Sequence, residues 1–102
     1  MTLHIDVPHD AIEAFCKRWH VTELAFFGSV LRNDFRPDSD IDVLVTFAPG
    51  ATPGFAFVTM QDELEALLGR KVDLLTRNAV EISHNWLRRN EILATARTYY
   101  AA

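Results

Sequence analysis

Two acids separated by one residue are the feature of this sequence most able to do chemistry. Asp40 and Asp42 stand at the start of an apolar, strand-like run that continues to Phe47. Since side chains at positions i and i+2 of a strand point to the same face, the two carboxylates are expected side by side. Neighbouring like charges repel unless a cation lies between them, and Mg²⁺ prefers carboxylate and phosphate oxygens. The pair predicts a metal site, and a solvated loop acid at Asp40 is the alternative.

A turn that follows another apolar run supplies the second half of such a site. Gly28 and Ser29 come directly after the strand-like residues 24–27. Free backbone N–H groups at the start of a short helix favour phosphate, and glycine lets the backbone approach a ligand closely. Ser29 can cap the helix or donate its hydroxyl to a phosphate. Alone, this is an ordinary strand–turn–helix corner; together with the acids, it predicts a nucleotide site.

The two segments together resemble the signature of the DNA polymerase beta-like nucleotidyltransferase superfamily. They are Gly28-Ser29-Val30-Leu31-Arg32 and Ser39-Asp40-Ile41-Asp42. The resemblance is strongest to the minimal nucleotidyltransferases, which are the antitoxin partners of HEPN-domain toxins. Leu31 and Asn33 depart from the usual pattern, but neither position carries a carboxylate. The resemblance implies an α/β chain of the α+β type, with a small mixed sheet and helices packed against it, and a single nucleotidyltransferase domain over residues 1–102.

The resemblance also implies roles for individual residues. Two Mg²⁺ ions and ATP as substrate are expected. The catalytic residues, which are also the metal ligands, are expected to be Asp40, Asp42 and Asp73. The nucleotide-binding residues are expected to be Gly28, Ser29 and Arg32. Two of these roles have an alternative. Asp73 lies in an apolar strand-like run and can instead be a buried acid paired with Lys71 or Arg70. Arg32 can reach phosphate or brace its own loop.

The implied reaction is transfer of AMP from ATP to a hydroxyl, expected to be a tyrosine, of a HEPN-type toxin, which silences the toxin. The alternative is a binding module with a vestigial site that neutralises the toxin by stoichiometric contact. Retention of all three acids and of Gly28-Ser29 favours the enzyme, because unneeded neighbouring acids are costly to keep. Homo-oligomers and hetero-oligomers are both compatible with these readings.

Length and charge narrow the class of protein. The 102 residues suit one domain, so we expect another protein to supply the acceptor surface. A net charge of −4 disfavours non-specific nucleic-acid binding. Apolar runs of membrane-spanning length and a secretion signal are absent, and the one cysteine, Cys16, fits a reducing cytoplasm. Cys16 lies on an apolar helical stripe and is expected to be buried.

Periodicity predicts alternating helices and strands, which is typical of a layered α/β arrangement. Helices are expected over residues 11–19, 29–33, 52–68 and 85–96, with another after residue 78, and strands over residues 22–27, 40–47, 71–75 and, at an edge, 97–100. Capping motifs are expected at Asp10 with Glu13, at Thr52-Pro53 and at Asn78 with Glu81. The last long helix is expected to pack through Trp86, Leu87, Ile92 and Leu93.

Overall fold

A four-stranded sheet with helices on both faces forms the protein in the computed structural model, which describes residues 7–31, 36 and 39–102. The elements are α1 (His9–Arg18), β1 (Val21–Phe27), β2 (Ile41–Phe47), α2 (Phe57–Leu68), β3 (Val72–Thr76), α3 (Arg77–Glu81), α4 (Trp86–Thr95) and β4 (Arg97–Ala101). Short 3₁₀ turns, Gly28–Leu31 and Gly54–Ala56, follow β1 and precede α2. The predicted fold class and the predicted edge strand are confirmed.

The sheet is mixed, with strand order β3-β2-β1-β4. β1 pairs antiparallel with both β2 and β4, whereas β2 and β3 are parallel and joined through α2. A parallel pair needs a crossover of this kind, since a tight turn can only reverse the chain. The β2–α2–β3 unit therefore brings the beginnings of two strands to the same edge of the sheet.

Strand alternation divides the core into two layers. One face carries the larger layer, built on residues such as Phe26 and Val43 and covered by α1 and α2. The opposite face carries Ala25, Phe27 and Leu44, which pack against Val80 of α3 and Ile92 of α4. Of the side chains that periodicity assigns to the core side of α2, Met60, Leu64 and Leu68 are buried, and Phe57 and Leu67 pack against the same layer.

The helix starts differ from the predicted capping motifs. Pro8 precedes α1, which begins two residues earlier than expected, so Asp10 lies inside the first turn and no side chain caps the helix. At α3, the hydroxyl of Thr76 accepts a hydrogen bond from the amide of Ala79 (3.1 Å), and Asn78 lies within the helix. At α2, a 3₁₀ turn intervenes after Pro53, and no side chain caps the start.

Two acids of α2 have structural partners. Glu63 accepts a hydrogen bond from the Trp19 indole (3.0 Å) and forms an ion pair with Arg18. Glu65 accepts one from the backbone amide of Val72 (2.9 Å). The contacts of Glu63 join α2 to the distant end of α1, and that of Glu65 joins α2 to the following strand, so the periodicity of α2 alone could not indicate them. Among the described residues, no helix is both long enough and apolar enough to cross a membrane.

Candidate nucleotidyltransferase site

Two of the predicted acids lie opposite each other on neighbouring strands. The parallel register pairs Asp42 of β2 with Asp73 of β3, and adjacent strands are about 4.8 Å apart. The ladder extends to the entrance of β2, because the amide of Ile41 donates to the carbonyl of Lys71 (2.9 Å). Asp42 also shares its face of the sheet with Leu44, under α3 and α4. The two carboxylates therefore meet on one face, as the order of the strands requires.

Asp40 lies just before β2 and is exposed. The segment ahead of it is held by two hydrogen bonds: the Ser39 amide donates to the carbonyl of Arg36 (3.0 Å), and the Arg36 amide donates to the Ser39 hydroxyl (3.1 Å). Ser39 thus stabilises the loop ahead of Asp40. Over residues 7–31, 36 and 39–102, no three His, Cys, Asp or Glu side chains come close enough together to hold a metal ion.

The acid pair fits Mg²⁺ by donor type and by number. Mg²⁺ is usually held by one or two carboxylates and completes its shell with water and substrate phosphates, so a protein cage of three ligands is not needed. Asp42 and Asp73 supply two hard oxygen donors from the most regular part of the sheet. Asp40, the third predicted ligand, lies outside β2, two residues ahead of Asp42. The residues present therefore suit a magnesium–nucleotide complex.

The carboxylate of Asp42 leaves no room for a side chain at Gly28. Phe27, the last residue of β1, pairs with Asp42, and Gly28 follows it with a φ of +74°. A Cβ built at Gly28 would overlap a carboxylate oxygen of Asp42 and lie 3.1 Å from its Cγ. Glycine is thus required twice, for the left-handed backbone and for the space. The predicted turn therefore lies directly beside the predicted metal ligands.

The rest of the turn is anchored by packing. Val30 is fully buried in the larger core layer, which fixes the 3₁₀ turn Gly28–Leu31, and Ser29 is half-buried beside Gly28. Arg32, predicted to bind the nucleotide, lies outside the described residues. The structure therefore brings together Gly28, Ser29, Asp42 and Asp73 at one edge of the sheet, with Asp40 at its entrance.

An arginine at this site was missed by the sequence reasoning. Arg88 of α4 places its Nη2 3.9 Å from Oδ2 of Asp73, and both side chains are about half exposed. Asp73 is therefore not the buried acid of the alternative reading. Since α4 is far from β3 in sequence, no local spacing pointed to this pair; only the presence of Arg88-Arg89 on a helix was visible.

The one cysteine lies away from the acids, in the layer on the other face of the sheet. Burial raises the pKa of the Cys16 thiol to about 12, because the thiolate would lose its hydration. The thiolate is the reactive form, so Cys16 has no nucleophilic role near neutral pH. The predicted buried position of Cys16 is confirmed.

The chain is similar to a known domain family and to several of its members. The family model described as nucleotidyltransferase domain matches residues 10–98. A protein adenylyltransferase MntA of Thermococcus cleftensis is 38% identical over 66 residues, which are 64% of this chain and 65% of that protein. A proposed protein adenylyltransferase of Methanocaldococcus jannaschii is 42% identical over 60 residues, 59% of this chain and 63% of that protein. The matches thus span slightly under two thirds of these curated relatives.

Solved structures give the same fold. A proposed minimal nucleotidyltransferase superposes with a TM-score of 0.67 at 31% identity, over 87% of this chain and 86% of that one. A toxin–antitoxin structure with AMP-PNP superposes with a TM-score of 0.70 over 94% of this chain and 75% of that one, and its 17% identity supports the fold alone. With a family model that matches most of its length, the chain belongs to the nucleotidyltransferase domain family.

Proposed function

We propose that the protein is a Mg²⁺-dependent nucleotidyltransferase and antitoxin, which transfers AMP from ATP to a hydroxyl of a partner toxin. The observation that carries this proposal is the in-register pair Asp42 and Asp73, closed on one side by Gly28. Protein adenylyltransferase is the activity named for the Thermococcus cleftensis relative. The toxin–antitoxin structure with AMP-PNP shares the fold and supports both a nucleotide and a toxin as partners.

In this proposal each residue has a distinct task. The Gly28-Ser29 turn binds the β- and γ-phosphates, and Arg32 adds a charged donor. Asp40, Asp42 and Asp73 hold up to two Mg²⁺ ions. When bound, the metal neutralises phosphate charge and lowers the pKa of the attacking hydroxyl.

The reaction is an in-line displacement at the α-phosphorus. The acceptor oxygen forms a new P–O bond, the bond to pyrophosphate breaks, and the hydroxyl proton is lost to the surrounding water. The chain contributes by holding the triphosphate on the Gly28-Ser29 turn and by fixing the carboxylates on two paired strands. Rigid strands suit this task, since small displacements of reacting groups are costly.

The acceptor is proposed to be a tyrosine of a HEPN-type toxin, and the reaction to take place in the cytoplasm, carried out by one domain over residues 1–102. A protein acceptor needs a docking surface, and apolar side chains are exposed at Ile82, which follows α3, and at Trp86 and Leu87 in the first turn of α4, the helix that carries Arg88. The same observation favours the second candidate function, a binding module that neutralises the toxin by contact alone.

The test uses the double variant Asp40→Asn with Asp42→Asn, which keeps the shape and removes the charge. As an enzyme, it should still bind the co-expressed toxin but fail to add AMP, about 329 Da per transfer by intact mass, and fail to protect cells. The matched control is Asp62→Asn, since Asp62 is an exposed acid of α2 outside the site. Full protection by a double variant that binds normally would instead establish inhibition by contact.

A further inference from the structure

We infer that Arg88 is an exchangeable counter-ion of the acid site, and this inference rests on the proposed function. In the metal-free protein its guanidinium neutralises Asp73. When metal and nucleotide bind, the carboxylate turns to the metal, and the guanidinium turns to the phosphates of the nucleotide. Arg88 thus binds the nucleotide when the site is loaded. In the absence of nucleotide, it competes with a metal ion for the Asp73 carboxylate.

The backbone of Arg88 is held in a capped helix, whereas its guanidinium is exposed and only loosely paired. Asn85 caps α4, its side-chain oxygen accepting from the amide of Arg88 (3.2 Å), and Ile92, one turn further along, is buried against the sheet. The guanidinium Nη2 lies 3.9 Å from Oδ2 of Asp73, which is beyond hydrogen-bonding distance. The Arg88 side chain is 59% exposed. A pair so loose and solvated is weak and easily exchanged.

The neighbouring arginine has a different environment. Arg89 directs its Nη1 to the carbonyl oxygen of Glu81 at the end of α3 (3.5 Å), where it bridges the two helices. Both arginines also line a small crevice of about 130 Å³ between α3, α4 and β3. Arg88 and Arg89 are therefore adjacent in the chain, carry the same charge and line the same crevice. They differ in that Arg88 forms the ion pair with a carboxylate of the site.

Electrostatics gives the exchange a distinctive signature. Removal of Arg88 makes the site more negative, so a free divalent cation binds more tightly. The same change takes a positive charge away from the triphosphate, so nucleotide binds more weakly. A merely structural arginine would weaken both. The opposite signs therefore identify an exchangeable counter-ion.

The first measurement is a titration of the full chain with Mn²⁺ alone, in which free Mn²⁺ is counted by electron paramagnetic resonance at low ionic strength. Arg88→Gln should bind Mn²⁺ about two- to fivefold more tightly, the size expected for an exposed ion pair. Arg89→Gln should match the wild type, and Arg88→Lys should restore most of the wild-type value. Unchanged or weaker Mn²⁺ binding by Arg88→Gln would overturn the inference.

The second measurement is the affinity for ATP at saturating Mg²⁺, by calorimetry. Arg88→Gln should weaken ATP binding about three- to tenfold, because a charged donor to phosphate is lost, while Arg89→Gln leaves it unchanged. Equal ATP affinity in Arg88→Gln and wild type would contradict the inference but leave the proposed function standing. Failure of the wild-type protein to bind either Mn²⁺ or MgATP would overturn both.

Discussion

The two ends of the parallel β2–β3 pair differ in shape and in charge. At the end where the strands begin, Asp42 and Asp73 face each other beside Gly28. At the end where they finish, the loop after β2 and the start of α3 enclose an open crevice of about 540 Å³. This crevice, lined by described residues, therefore lies at the end of the strands opposite to the acids.

At the crevice end, the side chains of Arg77 and Thr76 are hydrogen-bonded to neighbouring groups. Arg77, which lines it, donates from Nη2 to Oε1 of Glu23 (3.1 Å) and from Nε to the hydroxyl of Thr46 (3.2 Å). Thr76 uses its hydroxyl to cap α3. These groups are hydrogen-bonded to each other, whereas the acid end sets two carboxylates in register, with the Arg88 guanidinium 3.9 Å from the carboxylate of Asp73. The proposed chemistry is therefore assigned to the acid end by its paired carboxylates.

The largest effect that sharpens this comparison is expected at Gly28. Gly28→Ala places a methyl group against the Asp42 carboxylate, so we expect MgATP affinity to fall more than tenfold, together with a stability loss of roughly 1–2 kcal/mol from the positive φ. Gly50→Ala at the crevice end is the matched control, with a φ of +81° and nothing within 4 Å of the new Cβ. It should share the stability loss and keep wild-type affinity, measured by denaturant unfolding and calorimetry. Wild-type affinity in a folded Gly28→Ala protein would place the phosphate site elsewhere.

A smaller effect with the reverse pattern is expected at Arg77. Arg77→Ala removes two hydrogen bonds at the crevice end, so the free energy of unfolding should fall by about 1 kcal/mol, while Mn²⁺ and MgATP affinities stay unchanged. The control is Arg97→Ala, because Arg97 is exposed and bonds only weakly to the nearby carbonyl of Thr95 (3.3 Å). It should leave stability within about 0.5 kcal/mol of the wild type. A loss of nucleotide affinity in Arg77→Ala would break the contrast between the two ends.

The acid site was more predictable from sequence than the elements around it. The alternation of apolar residues after Asp40 predicted a strand, and one strand is enough to set the facing of Asp42. The pairing of Asp42 with Asp73 depended on strand order, which local patterns do not contain. Gly28 was expected to make room for a ligand; the structure adds that it makes room for Asp42 itself.

Helix ends and helix facing were predicted less well, for physical reasons. Side-chain caps depend on the backbone angles of the residue before the helix; Pro8 and Thr76, in extended conformation, occupy those positions at α1 and α3 in place of the expected Asp10 and Asn78. Trp86 and Leu87 of α4 were expected to pack. They are 58% and 66% exposed, because α4 meets the sheet through its second half, around Ile92 and Leu93. Apolar character alone does not tell a core residue from a surface one.

Substitution of exposed aromatic side chains, one at each end, is expected to change the stability least. Phe55 is fully exposed beside the crevice, next to its lining residue Gly54, and Trp86 is exposed two residues before Arg88. Because neither side chain is packed, Phe55→Ser and Trp86→Ser should each leave the unfolding free energy within about 0.5 kcal/mol of the wild type. Trp86 lies in the first turn of α4, the helix whose Arg88 approaches the Asp73 carboxylate, whereas Phe55 lies at the crevice end. Trp86→Ser should therefore slow AMP transfer to the toxin several-fold at unchanged MgATP affinity, as exposed aromatic anchors contribute strongly to interfaces. Phe55→Ser should transfer at the wild-type rate. Intact-mass time courses on the co-expressed toxin measure both, and equal slowing by the two variants would show that the acceptor does not distinguish the acid end from the crevice end.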